Sequence, residues 1–533
     1  MLELLNEQAQ LNMTHVPYRG GAPAMTDSGF RKIEARSFGR LENRPSYSEK
    51  WPLDGMGSML YFKLRFLSIG FLENHCRNPP DGHRGDEHML TASENELLCR
   101  VEGQAPMGRL MRKHWIPALL SEQVAEPDGA PVRVQLFGEK LVVFRDSKGK
   151  LGMLGESCPH RKASLAFGRN EDCGLRCLYH GWKFDTDGNV VDMPSEPAQS
   201  QLTEKVKHIS YPVREAGGFV WAYMGPSEDM PEFEAPPWAP HPETRVAIAK
   251  IQVPCNWAQI MEGQIDSAHS SSLHSSDMRP AKGEANAKGD HWVRPSTDKN
   301  PRIQVQLTNY GMRYAAIRRP ITNANTHDYV RITTYVAPFT ALIPPNSSYN
   351  VTSVIVPRND TSSYFHFIAW SEGDQVGIDT DAWRKFCVLV VGDDVDQEFQ
   401  PIKRHAHNNY LQDRSLMKEG HFVGIPGIPN QDIAMWESMG GIADRTQERL
   451  GASDIAIVQF RRLMLDAVNA FVENGRVIGR IAPRLPQAKL CSYQGVVEKS
   501  VPWRTLGASD EEVAVLLGME EDETEREMAG AAA

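Results

Sequence analysis

The feature that most constrains this chain is a pair of short tips, Cys158-Pro159-His160 and, after sixteen intervening residues, Cys177-Leu178-Tyr179-His180. Each tip carries one thiol and one imidazole, so the pair must be folded side by side to hold one metal centre. A [2Fe–2S] centre in which two histidines replace two cysteines on one iron needs this donor set, one sulfur and one nitrogen supplied twice. The rival is a structural Cys2His2 zinc site. Zinc knuckles usually pair cysteine with cysteine and histidine with histidine, whereas here each loop mixes the two. Cys173, four residues before Cys177, leaves an alternative ligand set open on spacing alone.

With 533 residues the chain is long enough for two or three domains and a large core. A net charge of -10 gives no general attraction to nucleic acid or to an anionic membrane. Eight cysteines in a chain this size do not make a disulfide framework, and the ligand thiols must stay reduced, so a cytoplasmic setting is expected. The most apolar early run, Met59 to Leu72, is broken by Lys63 and Arg65, too short to span a bilayer and too far from the N-terminus for a signal peptide.

Residues 1–88 mix Pro, Gly, Ser and Arg without sustained periodicity, and read as a disordered or non-native extension. Met89 is the expected natural start: Thr91 and Glu94, spaced as a capping box, follow at once, and Arg84-Gly85-Asp86 permits a purine-rich ribosome site upstream. A helical segment spans 89–113, interrupted at Gly103 and Pro106. Strand-like runs at 132–137, 140–144, 152–154 and 218–223 frame both tips and define a small antiparallel domain over 114–226. A proline-rich linker covers 227–244. Residues 245–510 alternate strand-like runs (245–253, 302–308, 314–317, 329–337, 351–356, 364–370) with expected helices at 255–266, 381–400 and 444–474, an α+β domain on an antiparallel sheet. The tail 511–533 is acidic.

A second constellation lies between Asn256 and His274: Glu262, Asp266, His269 and His274. Asp266 and His269 share a helix face, but His269 and His274 stand roughly 140° apart around a regular helix, so the helix must end or bulge between them to aim both at one ion. Two histidines and a carboxylate form the facial triad of a non-haem Fe(II) oxygenase, with positions left open for O2 and substrate. Asp393, Asp394, Asp396 and Asp432 are the candidates for the carboxylate.

The flanks Cys158-Pro-His160-Arg161 and Cys177-x-x-His180-Gly181-Trp182, with Cys255-Asn-Trp257, Asp266-Ser267-x-His269, Thr326-His-Asp-Tyr-Val-Arg331, Ile343-Pro-Pro-Asn346 and Gln431-Asp432, resemble Rieske non-haem iron ring-hydroxylating oxygenases, above all the phthalate dioxygenase group. The resemblance runs from Met89 to about Glu512. It implies a small antiparallel Rieske [2Fe–2S] domain and a larger, helix-grip-like catalytic domain holding a mononuclear Fe(II). It selects Asp432, followed five residues on by Glu437, as the third iron ligand, and makes the 393–396 cluster a solvated helix face. It gives Asp266 the role of a bridge from His180 of one subunit to His269 of its neighbour. It further implies a homotrimer or stacked trimers, a separate FMN/[2Fe–2S] reductase fed by NADH, and O2-dependent hydroxylation of benzoate-like acids, giving a cis-dihydrodiol. Monooxygenation or O-demethylation is the variant within the class.

An aromatic acid needs a cationic anchor, and the guanidinium fork suits a carboxylate better than an ammonium does. Arg294 and Arg331 follow the histidines, with Arg331 in an alternating run that can aim it inward; Ser267 is a further donor, and Arg318 and Arg319 come next. Against this stand surface ion pairs for the arginines. For the whole chain the rivals are a pure electron-transfer Rieske protein and a zinc-stabilised binding module.

Overall fold

The computed structural model describes residues 89–197, 199–239, 245–281, 292–344, 349–371, 377–480 and 486–508. The readings of 1–88 and of the tail from 511 lie outside the described residues. Helix α1, Ala92–Cys99, opens as its sequence dictates: Thr91 Oγ1 accepts the Glu94 N–H at 3.2 Å and the Glu94 carboxylate accepts the Thr91 N–H at 2.8 Å. Helix α2, Pro106–Met111, carries its proline in the first turn, where no backbone donor is missed.

Three small antiparallel sheets follow. Trp115–Leu120 pairs with Phe219–Tyr223 and that with Val213–Ala216; Val132–Leu136, Glu139–Arg145 and Leu151–Gly155 form the second; Arg169–Glu171, Gly174–Arg176, Lys183–Phe184 and Val190–Asp192 the third. Val142, Phe144, Leu154, Leu165, Leu175, Trp182 and Phe184 make a core of their own, and Cys158 and Cys177 sit in it.

The larger domain is an eight-stranded antiparallel sheet in the order Arg245–Val253, Ser362–Ser371, Asn350–Asn359, Thr340–Ile343, His327–Val336, Gly311–Arg318, Arg302–Thr308, with Tyr493–Glu498 also pairing with His327–Val336. Helix α3, Trp257–Ile265, lies on the sheet, its Gln264 Oε1 accepting from Ser353 Oγ at 2.6 Å. Glu262 of α3 is buried between two guanidiniums, Arg445 (2.8 and 3.1 Å) and Arg461 (2.7 Å), the latter on α6, Ile455–Asn474.

Three expectations are corrected. The helix expected over 381–400 is only α4, Thr380–Cys387, ending at Val388 in the left-handed region (φ 55°). Beyond it Asp394 accepts the Val390 N–H and Asp396 those of Glu398 and Gln400, so these aspartates hold turns in place of a helix. Asp394 is buried against Arg404, not solvated. The helix expected over 444–474 starts eleven residues late, because Asp444 and Asp454 likewise bond nearby backbone N–H groups. Helix α5, Ile428–Ser438, is not among the expected helices; its Pro429 lies in the first turn, where proline is tolerated.

The two domains are joined by backbone bonds, Phe137 N–H to Pro357 C=O at 3.1 Å and Gly138 N–H to Arg358 C=O at 2.6 Å. Lys250 Nζ, buried under the rings of Tyr364 and Phe399, donates to Gln123 Oε1 at 3.0 Å. Among the described residues no helix is long and apolar enough to cross a membrane.

Candidate metal centres

The two Cys/His tips fold as one repeated turn. Cys158 donates its N–H to Ala163 C=O (2.9 Å) and accepts from Lys162 N–H (2.9 Å); Cys177 donates to Trp182 C=O (2.8 Å) and accepts from Gly181 N–H (3.0 Å). Lys162 and Gly181 close the turns at φ 62° and 77°; a Cβ on Gly181 would stand 2.6 Å from Pro194, so the second tip requires glycine. The rings of His160 and His180 lie 4.4 Å apart, and His160 stacks on Trp182 at 4.6 Å with the planes 5° apart. The cysteines are buried while Leu178 and Tyr179 project into solvent.

Burial, with the neighbouring Cys177, pushes the Cys158 thiol up to about 11, so only a cation at the tip would make it a thiolate at neutral pH. A single tetrahedral ion would gather all four donors into one tight group. The described residues place just one set of three or more such donors within 4.8 Å of one another, and it is not this one. Donors shared between two irons fit the arrangement better than one zinc. Cys173 is at a hairpin turn, its N–H given to Ser147 Oγ, and joins neither tip.

The tight set is His269, His274 and Asp432. Helix α3 stops at Ile265 with Asp266 as its C-cap, within one residue of the expected end at 266, and His269 opens a 3-10 turn, His269–Ser271. Nε2 of His269 and Nε2 of His274 stand 3.1 Å apart; the Asp432 carboxylate, from α5, is 3.0 Å from His274 and 3.6 Å from His269. Ligands about 2.1 Å from one ion and at right angles to each other are about 3.0 Å apart, which these distances approach.

The tautomers agree. Gln431 gives its amide N–H to Asp277 (2.9 Å) and Ile425 C=O (2.9 Å), so Oε1 faces His274 at 2.7 Å and accepts a hydrogen bond from its Nδ1–H. Asp266 faces His269 Nδ1 at 3.4 Å. Both Nε2 lone pairs and a carboxylate oxygen therefore converge, a set that repels itself unless a cation sits among them. Burial works against a charged His269, yet Asp266 and Asp432 outweigh it and raise its pKa; burial likewise works against an ionised Asp266, but His269 and the Ala268 N–H hold it below the usual carboxylate range. Gln431 was not singled out as a site residue; only its place beside Asp432 hinted at it. The rejected acids lie elsewhere, Asp393 with Lys403 and Asp394 with Arg404.

Two buried arginines bond the segment that presents His269, and a third, Arg331, acts on both through its charge. Arg294 donates to Ser271 Oγ (2.8 Å) and Ser270 Oγ (2.9 Å), hydroxyls on the turn that presents His269. Arg331 donates to Tyr329 Oη (3.3 Å), Gln494 Oε1 (3.2 Å) and Pro344 C=O (3.1 Å). Arg318 donates to Ser267 C=O (2.8 Å), Ser267 Oγ (3.3 Å) and Ser271 Oγ (3.4 Å). All three are at most 5% exposed, whereas Arg319 points outward to Asp298. Burial first, then the charges of Arg331 and Arg318, bring Arg294 down to about 9; burial and Arg331 bring Arg318 down to about 10.

A [2Fe–2S] tip set in a β module, with a two-histidine, one-carboxylate site built from a turn and a helix of a second domain, defines a Rieske non-haem iron oxygenase. Residues 114–209 match the Rieske [2Fe-2S] domain, and residues 222–526 match the family described as LigXa C-terminal domain like. The chain is 60% identical over 417 residues to the phthalate 4,5-dioxygenase oxygenase subunit of Pseudomonas putida, covering 78% of this chain and 94% of that one. It is 36% identical to the 3-chlorobenzoate-3,4-dioxygenase oxygenase subunit of Comamonas testosteroni (78% and 98% covered) and 31% identical to the 5,5'-dehydrodivanillate O-demethylase oxygenase subunit of a Sphingobium species (71% and 80%). The chain belongs to the Rieske oxygenases with a LigXa-type C-terminal domain, as an oxygenase component carrying a Rieske [2Fe–2S] cluster and a mononuclear iron.

Proposed function

We propose that this chain is the terminal oxygenase of a system that hydroxylates an aromatic carboxylate, phthalate or a substituted benzoate, with O2 and electrons from NADH, giving a cis-dihydrodiol. The observation that carries the reading is Arg294, buried and bonded to the same turn that presents His269, so that a carboxylate held there stands beside the triad. Two of the relatives are named for phthalate and 3-chlorobenzoate, both aromatic carboxylates.

Cys158, His160, Cys177 and His180 would hold the cluster, and His269, His274 and Asp432 the single iron. When bound, the first supplies single electrons and the second the place where O2 is activated. The protein's own part is to position. Arg294 and Arg331 bind the carboxylates, Ser267 adds a hydroxyl, and the buried surround keeps water from the reacting ring. Gln431 and Asp266 hold the two imidazoles in one tautomer.

Asp266 has a second task. Its carboxylate keeps a fifth of its surface open, and His180 is half-buried at a protruding tip. In a trimer or stacked trimers, Asp266 joins His180 of the partner subunit to His269. The reductase is an FMN/[2Fe–2S] protein fed by NADH, and the setting is cytoplasmic.

The test is anaerobic iron reconstitution followed by product analysis with a panel of phthalates and substituted benzoates. A cis-dihydrodiol from one of them is expected; O2 uptake unaffected by every acid would sink the reading. In the same assay Asp266→Asn should keep both metals and lose most turnover, and near-normal turnover would refute the bridge.

A further inference from the structure

We infer that Tyr314 and Arg318, on one face of the strand Gly311–Arg318, are positioning residues for the Asp266 carboxylate: they clamp the backbone on either side of it and so set the geometry of the electron bridge. This rests on the reading that Asp266 joins His180 of the partner subunit to His269.

A helix leaves its last carbonyls without intrahelical partners. Helix α3 ends at Ile265, where Asp266 N–H still reaches Glu262 C=O at 2.9 Å, and the next carbonyls need donors from elsewhere. Two of them find donors on the same strand. Tyr314 Oη donates to Ile265 C=O, and Arg318 Nη2 donates to Ser267 C=O at 2.8 Å, with Nη1 3.3 Å from Ser267 Oγ. Ser270 Oγ adds a second bond to the Ser267 carbonyl at 2.9 Å. Residues 314 and 318 are four apart on a strand, so both side chains leave one face. Both are at most 2% exposed, and Thr333, directly opposite Tyr314 on the next strand, bonds the same phenol oxygen. The two held carbonyls are the immediate neighbours of Asp266 in the chain.

Between them the carboxylate divides its duties. Oδ1 accepts from Ala268 N–H at 2.7 Å and from His269 N–H at 3.4 Å, while Oδ2 faces His269 Nδ1 at 3.4 Å. One oxygen is locked to the turn, and the other is left to the imidazoles. That division holds only while residues 265–267 stay where the strand puts them. His274 has its own anchor in Gln431, and Asp432 stands on α5, so the clamp acts on the bridge more than on the triad. The competing account is that both side chains merely cap α3.

The experiment uses the full chain loaded with both metals: wild type, Asp266→Asn, Tyr314→Phe, Arg318→Met, Arg318→Lys, and each of Tyr314→Phe and Arg318→Met combined with Asp266→Asn. Iron content, Rieske resonance and Tm check folding and loading. With the cluster reduced beforehand and phthalate raised to saturation, mixing with O2 is followed by the visible absorbance of the cluster, which reads the electron it gives up to the iron site. Tyr314→Phe should slow this reoxidation about 3- to 10-fold and Arg318→Met about 10- to 100-fold, at unchanged iron content. Arg318→Lys, which keeps a donor for Ser267 C=O, should recover most of the rate. In the Asp266→Asn background neither change should slow it further, since no bridge is left to position. Hydrogen exchange, which needs no substrate, should quicken at the Ala268 and His269 amides in both single variants. Slow reoxidation in Asp266→Asn with wild-type rates in the other single variants would overturn the clamp and leave the bridge standing; fast reoxidation in Asp266→Asn would overturn the bridge and the clamp with it. Losses that persist in full in the double variants, that vanish as phthalate is raised, or that come with lost iron in the isosteric Tyr314→Phe would assign the pair to folding or to substrate binding and overturn the inference. Unchanged exchange at both amides would overturn it as well.

Discussion

The Rieske tips draw all four donors from residues 158–180, on two turns with the same hydrogen-bond pattern, packed on a core that belongs to the small domain. The triad needs residues 269–432, the turn that follows α3 and the helix α5, before its three donors meet. One centre is a local device whose ligands are aimed by turns a few residues long. The other exists only when α3 and α5 are packed at the correct distance. A lesion in the first should therefore stay in the first, whereas the second should respond to packing changes far from its ligands.

The largest effect expected is from Cys177→Ser. The cluster should be lost, iron should fall from about three to about one per chain, and the Rieske-type electron resonance of the reduced protein should vanish with NADH-driven turnover. The remaining iron should still sit at the triad. Loss of all iron would show that the two centres do not form independently and would break the comparison.

The same contrast explains what was legible in the sequence. A tip such as Cys158-Pro-His160 carries its geometry in adjacent residues, and so do the capping box at Thr91 and the long strands, which lie within a few residues of their expected places. Asp432 was reached by resemblance and not by spacing, because nothing in residues 428–438 announces a buried helix after Gly427 and Pro429. The aspartates of 393–396 read as a helix face and instead cap their own backbone. Burial of Arg318 and exposure of Arg319 separate two adjacent arginines that the sequence left level. Tertiary contacts decide each of these, and a propensity argument has no access to them.

Gly263→Ala is the packing test, second in size. A Cβ there would stand 2.1 Å from Nε1 of Trp436 and 2.7 Å from its Cε2, and Trp436 is itself wedged against Phe365 at 5.3 Å between ring centroids. Neither side can yield cheaply, so α3 and α5 must separate. Asp432 lies one turn before Trp436 on the same face of α5 and would be carried away from the histidines. The variant should lose about 1–3 kcal/mol of stability by chemical denaturation and most of its mononuclear iron, while the Rieske resonance stays intact. Retention of full mononuclear iron would mean that the triad tolerates helix displacement and is more local than its span suggests.

Gln431→Leu should have the smallest effect of the three and tests the comparison most finely, since it alters neither ligands nor helix spacing. The side chain is fully buried, and its amide is fixed by two pure acceptors, the Asp277 carboxylate and the Ile425 carbonyl, so that only Oε1 remains for His274. Leucine fills similar space but leaves His274 Nδ1–H without its acceptor and frees the ring to rotate or change tautomer. Outer partners of ligating histidines are worth about 10- to 100-fold in metal affinity. Iron titration of the apoprotein should show a loss in that range, with wild-type cluster content and a protein that remains folded. Glutamate is the wrong control here, because its charge would face Asp277, the group the amide now satisfies. An unchanged iron affinity in Gln431→Leu would mean that Asp432 and His269 hold the ion by themselves, and that the long-range centre is as self-sufficient as the tips.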